Sequence, residues 1–122
     1  VKTLNILKNK GYKLAVVSNK NNEYAKEIIT HYFSGIFDFV TGVIDGIPKK
    51  PNPDLVYIAL EKLGINLGNA LYVGDSLIDL KTAINSRMDY IICSYGYGDK
   101  AQLIKNGAKI IIDNISDILL YL

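Results

Sequence analysis

Ala70-Leu71-Tyr72-Val73-Gly74-Asp75-Ser76-Leu77-Ile78-Asp79 is the segment around which the rest of the chain is organised. Its first half is a short apolar run flanked by Asn69 and Gly74, the composition of a strand buried on both faces of a parallel sheet. Gly74 lets the backbone turn, and Asp75 falls just past the strand's carboxyl end, where open α/β sheets place their ligands. Ser76 is suited to cap a following helix, which puts Asp75 and Asp79 across its first turn. On the residues alone, two readings of these acids stand side by side. Acidic side chains are favoured at a helix N-terminus by the dipole. Two hard oxygen donors beside a strand end also suit Mg²⁺, which binds through one or two carboxylates plus substrate phosphate.

Upstream, residues 2–10 form a short amphipathic pattern through Leu4, Ile6 and Leu7, and Gly11 follows where a helix would stop. Residues 13–17 read as a buried strand that delivers Ser18-Asn19-Lys20 to its carboxyl end. These residues supply ordinary turn chemistry, or a hydroxyl, an amide and backbone N–H groups able to hold a phosphate. Residues 21–33 read as a helix with Tyr24, Ile28, Ile29 and Tyr32 on or near one face. His31, the single histidine, lies near its end without metal-ligand neighbours and reads as structural or solvated. Residues 37–43 suit a strand. Lys49-Lys50-Pro51-Asn52-Pro53-Asp54 is a rigid connector, with Asn52 and Pro53 fitting N-cap and N1 of the next helix. Leu55, Ile58, Ala59 and Leu63 form that helix's apolar face and Gly64 its stop. The lysine pair is either simply solvated, or Lys50, braced by Pro51, is a point charge aimed at phosphate.

Downstream, residues 77–85 continue as a helix with Leu80, Ala83 and Ile84 facing the sheet. Residues 90–93 read as another buried strand, 94–99 as a Gly/Tyr-rich loop, and 100–106 as a short helix closed by Gly107. A short strand at 109–112 and a final helix capped by Asn114 complete the chain. This β-α alternation specifies an α/β fold, a parallel sheet with helices on both faces.

At 122 residues with 49% apolar content, the sequence suits one domain with a real core, spanning residues 1–122. The net charge of +2 is dispersed, so neither nucleic acid nor an anionic membrane is an expected partner. There is no bilayer-spanning apolar run and no signal-peptide pattern. The single cysteine, Cys93, excludes an internal disulfide, suits a reducing cytoplasm, and closes an apolar run as a buried small hydrophobe. The sequence opens on Val1 rather than Met, and it is expected to be a processed, excised or truncated piece.

Three elements, Val16-Val17-Ser18-Asn19, Lys50-Pro51-Asn52-Pro53-Asp54 and Val73-Gly74-Asp75-Ser76-Leu77-Ile78-Asp79, occur in this order along the chain. Together they resemble the second, third and fourth signature motifs of the haloacid dehalogenase-like phosphatases. KPxPD and GDSxxD point to the phosphoglycolate-phosphatase-like branch. The resemblance extends to Tyr95-Gly96-Tyr97-Gly98 and to the Gly107-Ala108 and Ile112-Asp113 ending.

The resemblance implies a Rossmann-like three-layer α/β/α core and a Mg²⁺-dependent phosphatase acting on a small phosphorylated metabolite. It implies that Ser18, helped by Asn19, hydrogen-bonds a transferring phosphoryl oxygen. Lys50 would neutralise charge on the phosphoryl group and nucleophile, while Lys49 has no counterpart role. Asp75 would ligate Mg²⁺ directly, and Asp79 would support the metal or its waters. Phosphoryl transfer asks the protein mainly for such positioning and electrostatics. The departure lies upstream. The family begins with a strand ending in DxDGT, whose first Asp is the nucleophile and whose second is the general acid/base. No such motif precedes Val17, and Asp45-Gly46 is only a faint echo of it. The family's cap domain and its central strand, between the Leu14 and Leu71 strands, are also absent from this sequence. A missing N-terminal segment of the same protein is therefore the expected partner, and these residues alone are expected to be inactive. The alternatives are a phosphate-binding pseudo-enzyme without chemistry, a pyrophosphatase, and a sugar-phosphate mutase.

Overall fold

A computed structural model describes residues 2–94 and 100–122. In chain order the elements are α1 (Lys2–Asn9), β1 (Ala15–Asn21), α2 (Asn22–Tyr32), β2 (Phe39–Val43), α3 (Asp54–Leu63) and β3 (Leu71–Gly74). There follow α4 (Leu77–Ser86), β4 (Asp89–Cys93), α5 (Lys100–Lys105) and β5 (Ile111–Ile112). Short 3₁₀ segments lie at Leu67–Asn69 and Ile115–Tyr121. Every strand pair is parallel, as β-α alternation requires. The expected Gly/Tyr loop, apart from Ser94, and the stretch Tyr95-Gly96-Tyr97-Gly98 lie outside the described residues. Among the described residues, no helix is long and apolar enough to cross a membrane.

The strands form two sheets, β1-β2 and β3-β4-β5. β4 is paired on both edges, and its side chains alternate between two packed layers. Ile92 packs with Leu80 of α4 and Leu103 of α5, while Ile91 and Cys93 pack with Ile112 and Ile118. This is the both-faces-covered arrangement of a parallel sheet, and Cys93 is buried in it.

β1 and β3 behave differently. Among the described residues each is paired on one edge only, and no strand stands between them, as the resemblance led us to expect. Val73 is 39% exposed and no residue of β1 is fully buried. The reading of both strands as buried on both faces is thus corrected. Their apolar sequences suit interior strands, but such strands are covered only where neighbours stand. The two halves are joined through α3, which packs on β1 and β2. Val56 of α3 shares a cluster with Tyr72 of β3, Ala83 of α4 and Met88, with Val17 of β1 against it.

Several local expectations change. Ser18-Asn19-Lys20 is not yet the turn: β1 runs on to Asn21, where the pairing with β2 shifts between Val17 and Asn21. The side chain of Asn21 then caps α2 by accepting from the Glu23 and Tyr24 amides. On α2 the packed stripe is Ala25 with half-buried Ile28 and Ile29, and Tyr24 and Tyr32 are exposed. Pro53, not Asn52, is the N-cap of α3, because the Asn52 side chain is drawn back to the Lys49 carbonyl. Gly64 does end α3 in the left-handed conformation, at φ 69°. On α4, Ile84 is 46% exposed while Thr82 and Ser86 are buried. Their hydroxyls donate to the carbonyls of Ile78 and Thr82 one turn back, which removes the cost of burying them. The closing helix is 3₁₀ rather than α, although Asn114 caps it as expected.

Candidate active site

β3 ends at Gly74, and Ser76 starts α4 by accepting the Asp79 backbone N–H at 3.2 Å. This cap turns the Asp79 side chain back over the end of β3, where it is buried. Gly74 is required by that approach and not by the turn. A Cβ there would lie 2.3 Å from Asp79 Cβ and 2.6 Å from its Cγ, and Gly74 is not among the glycines with positive φ.

Asp79 is the hub. Its Oδ1 accepts from Lys50 Nζ at 2.8 Å and from the Tyr72 hydroxyl at 2.9 Å, and its Oδ2 accepts from the Asp75 backbone N–H at 3.0 Å. The Lys50 and Asp79 side chains are each 12% exposed, so the pair is shielded and its geometry held. Burial pushes the Asp79 carboxyl up, but the Lys50 charge, its hydrogen bond and the bonds from Asp75 and Tyr72 outweigh it and hold the group below its ordinary value. Asp75 moves the other way: desolvation, then the adjacent Asp79 carboxylate, raise it. Burial, then the negative charge of Asp79, push the Tyr72 hydroxyl up, so it is a donor at any working pH.

On the β1 side, Asn19 Oδ1 accepts from the Lys50 backbone N–H and Nδ2 donates to the Lys50 carbonyl, both at 3.0 Å. Ser18 Oγ accepts from the Lys20 backbone N–H at 3.0 Å. The structure thus brings Asn19, Lys50, Asp75 and Asp79 into one connected network at the carboxyl ends of β1 and β3. Ser18 stands beside Asn19 on β1. The hydrogen bonds that build this network run through neither Lys49 nor His31. Among the described residues, no group of three or more His, Cys, Asp or Glu gathers as a metal cage. A fit to Mg²⁺ therefore rests on the exposed Asp75 carboxylate, backed by Asp79, the donor set of a cation shared with a phosphate.

The sequence reading missed Tyr72, the reason for Gly74, and Asn85, whose Nδ2 donates to the Pro51 carbonyl at 2.9 Å. For Tyr72 a signal existed: a tyrosine within a buried apolar run carries a hydroxyl that needs a partner. For Asn85 there was none.

A profile of the haloacid dehalogenase-like hydrolases matches residues 1–93. The chain belongs to this family. Within it, the chain falls in the phosphoglycolate-phosphatase-like branch. It is 41% identical over 96 residues to the phosphoglycolate phosphatase of Aquifex aeolicus, covering 78% of this chain and 45% of the relative. It is 31% identical over 118 residues to that of Pectobacterium atrosepticum, covering 96% and 50%. The fold superimposes on a crystal structure of a candidate phosphoglycolate phosphatase from Lactobacillus delbrueckii subsp. bulgaricus with TM-score 0.91 and 41% identity, covering 97% of this chain and 49% of the other. A hydrolase of the same superfamily from Ehrlichia chaffeensis gives TM-score 0.81 at 27% identity, covering 98% and 54%. The chain spans about half the length of these curated relatives.

Proposed function

We propose that these residues are the Lys50, Ser18 and metal-binding part of a Mg²⁺-dependent phosphoric monoester hydrolase. The observation that carries this reading is the Lys50–Asp79 pair, which fixes an ammonium group beside Asp75 at the carboxyl end of β3. A fixed cation over a strand end is what a phosphoryl group with developing negative charge requires. Lys50 neutralises the phosphoryl oxygens, Ser18 offers its hydroxyl as a donor to one of them, and Asn19 holds the Lys50 backbone in place. Asp75, supported by Asp79, would hold Mg²⁺, which supplies further charge neutralisation at the phosphate.

The attacking carboxylate and the acid/base belong, on this reading, to a further strand of the same protein. The edges of β1 and β3 that pair with no strand among the described residues support this, because a strand placed there would deliver its carboxyl end beside Lys50 and Asp75. Residues 1–122 alone are then inactive. The names of the relatives make phosphoglycolate the first substrate to test, and Cys93, the single cysteine and a buried one, suits a cytoplasmic setting.

The test is hydrolysis of phosphoglycolate and a general phosphomonoester by the intact protein, with and without Mg²⁺. Lys50→Ala and Asp75→Ala should each lower kcat about a hundredfold or more, the scale of losing one preorganised charge. Full activity in either variant ends the assignment.

A further inference from the structure

Lys50 lies in a segment with neither helix nor strand between β2 and α3. Its long flexible stem does not by itself place a charge. Asp79 fixes the tip, and two asparagines from opposite halves of the molecule fix the base. Asn19, on β1, pairs with both the N–H and the C=O of Lys50 at 3.0 Å. Asn85, near the end of α4, donates to the carbonyl of the next residue, Pro51, at 2.9 Å. We propose that Asn19 and Asn85 are positioning residues that grip the Lys50-Pro51 dipeptide from the two half-sheets and so set where the Lys50 ammonium stands.

Three anchors on two consecutive residues fix the position of the Lys50 backbone and the direction of its side chain. The Asn52 amide contributes nothing equivalent, because it bonds Lys49 within the same loop. Asn19 thus serves Lys50, a role beside the help at phosphate that the resemblance implies for it. The grip also couples the halves, since β1 carries one asparagine and the β3–α4 unit the other. The Asn85 amide does not titrate, so the effect of Asn85→Ala on the rate is independent of pH.

The inference rests on the phosphatase reading for its kinetic consequence, but not for its structural one. In the intact protein, Asn85→Ala and Asn19→Asp are compared with wild type and with Asn106→Ala, whose amide donates to the Gln102 carbonyl one turn back. Two quantities are read: kcat and KM for phosphomonoester hydrolysis, and the rate at which Lys50 is acylated by acetic anhydride, followed by mass spectrometry. A misplaced charge should lower kcat about tenfold with KM changed by less than about twofold. Lys50 acylation should rise severalfold in both variants and stay at the wild-type rate in Asn106→Ala. Asn85 is exposed, so its truncation leaves no core cavity, and it decides alone if Asn19→Asp does not fold. Raised acylation in a protein that hydrolyses nothing supports the grip and removes the phosphatase reading. Unchanged Lys50 acylation in a folded Asn85→Ala overturns the grip, whatever the hydrolysis rate.

Discussion

Replacing Asp79 with asparagine keeps the shape of the side chain and removes its charge. Three donors converge on that carboxylate, from Lys50, Tyr72 and the Asp75 backbone. The amide that takes its place can accept at one atom only, so at least one of the three donors then faces an N–H. Breaking a buried ion pair by removing one partner costs roughly 3–5 kcal/mol. Two features move the value to the lower end: each side chain keeps 12% exposure, and the substitution relieves the repulsion that raises Asp75. We expect a loss of about 3 kcal/mol, or a Tm lower by roughly 10 °C for a chain of this size. Urea unfolding of the intact protein measures it, with Lys50→Met as the second background. Once Lys50 is apolar the same substitution should cost less than about 1 kcal/mol, because the charge it leaves unpaired is gone. A cost below about 1 kcal/mol in the wild-type background, or equal costs in both, would refute the view of Asp79 as the hub.

The pH dependence follows with its sign. Asp79 is held below its ordinary value, so the stability gap between wild type and Asp79→Asn should be full above roughly pH 4 and close as the pH falls through the depressed value; a gap constant down to strongly acidic pH would contradict this. Gly74→Ala should cost roughly 1–3 kcal/mol or more by driving a methyl against the base of the Asp79 side chain, and denaturant unfolding within about 0.5 kcal/mol of wild type would show that the contact relaxes. Gly42→Ala places its Cβ 2.4 Å from the Lys20 carbonyl and 2.7 Å from the Asn22 Cα. Both are backbone, so β2 must part from the end of β1, and a thermal melt unchanged from wild type would rule that out.

Local rules carried the element order, since they depend on neighbours in sequence. Ser76 capping α4 and Gly64 ending α3 follow from their positions beside apolar runs. Asp75 falls just past the carboxyl end of β3 for the same reason. What the sequence did not disclose is the partner of each polar group. Lys50 and Asp79 are 29 residues apart, and tertiary packing, that of α3 against both halves included, brings their elements together. The burial of Thr82 and Ser86 was hidden because their hydroxyls are satisfied within α4. Ile84 was misplaced for the complementary reason, as those two small residues occupy the face it was given. The bulged run of β1 through Ser18 and Asn19 likewise depends on pairing with β2, which no window along β1 reveals.

If a phosphoryl group binds where the carboxyl ends of β1 and β3 meet, a crystal structure of the intact protein with Mg²⁺ and inorganic phosphate will hold it there. Phosphate oxygens are expected within hydrogen-bond distance of Ser18 Oγ and Lys50 Nζ, and Mg²⁺ at the Asp75 carboxylate. Phosphate seated elsewhere, touching neither Ser18 nor Lys50, and Asp75 without a metal, would contradict it.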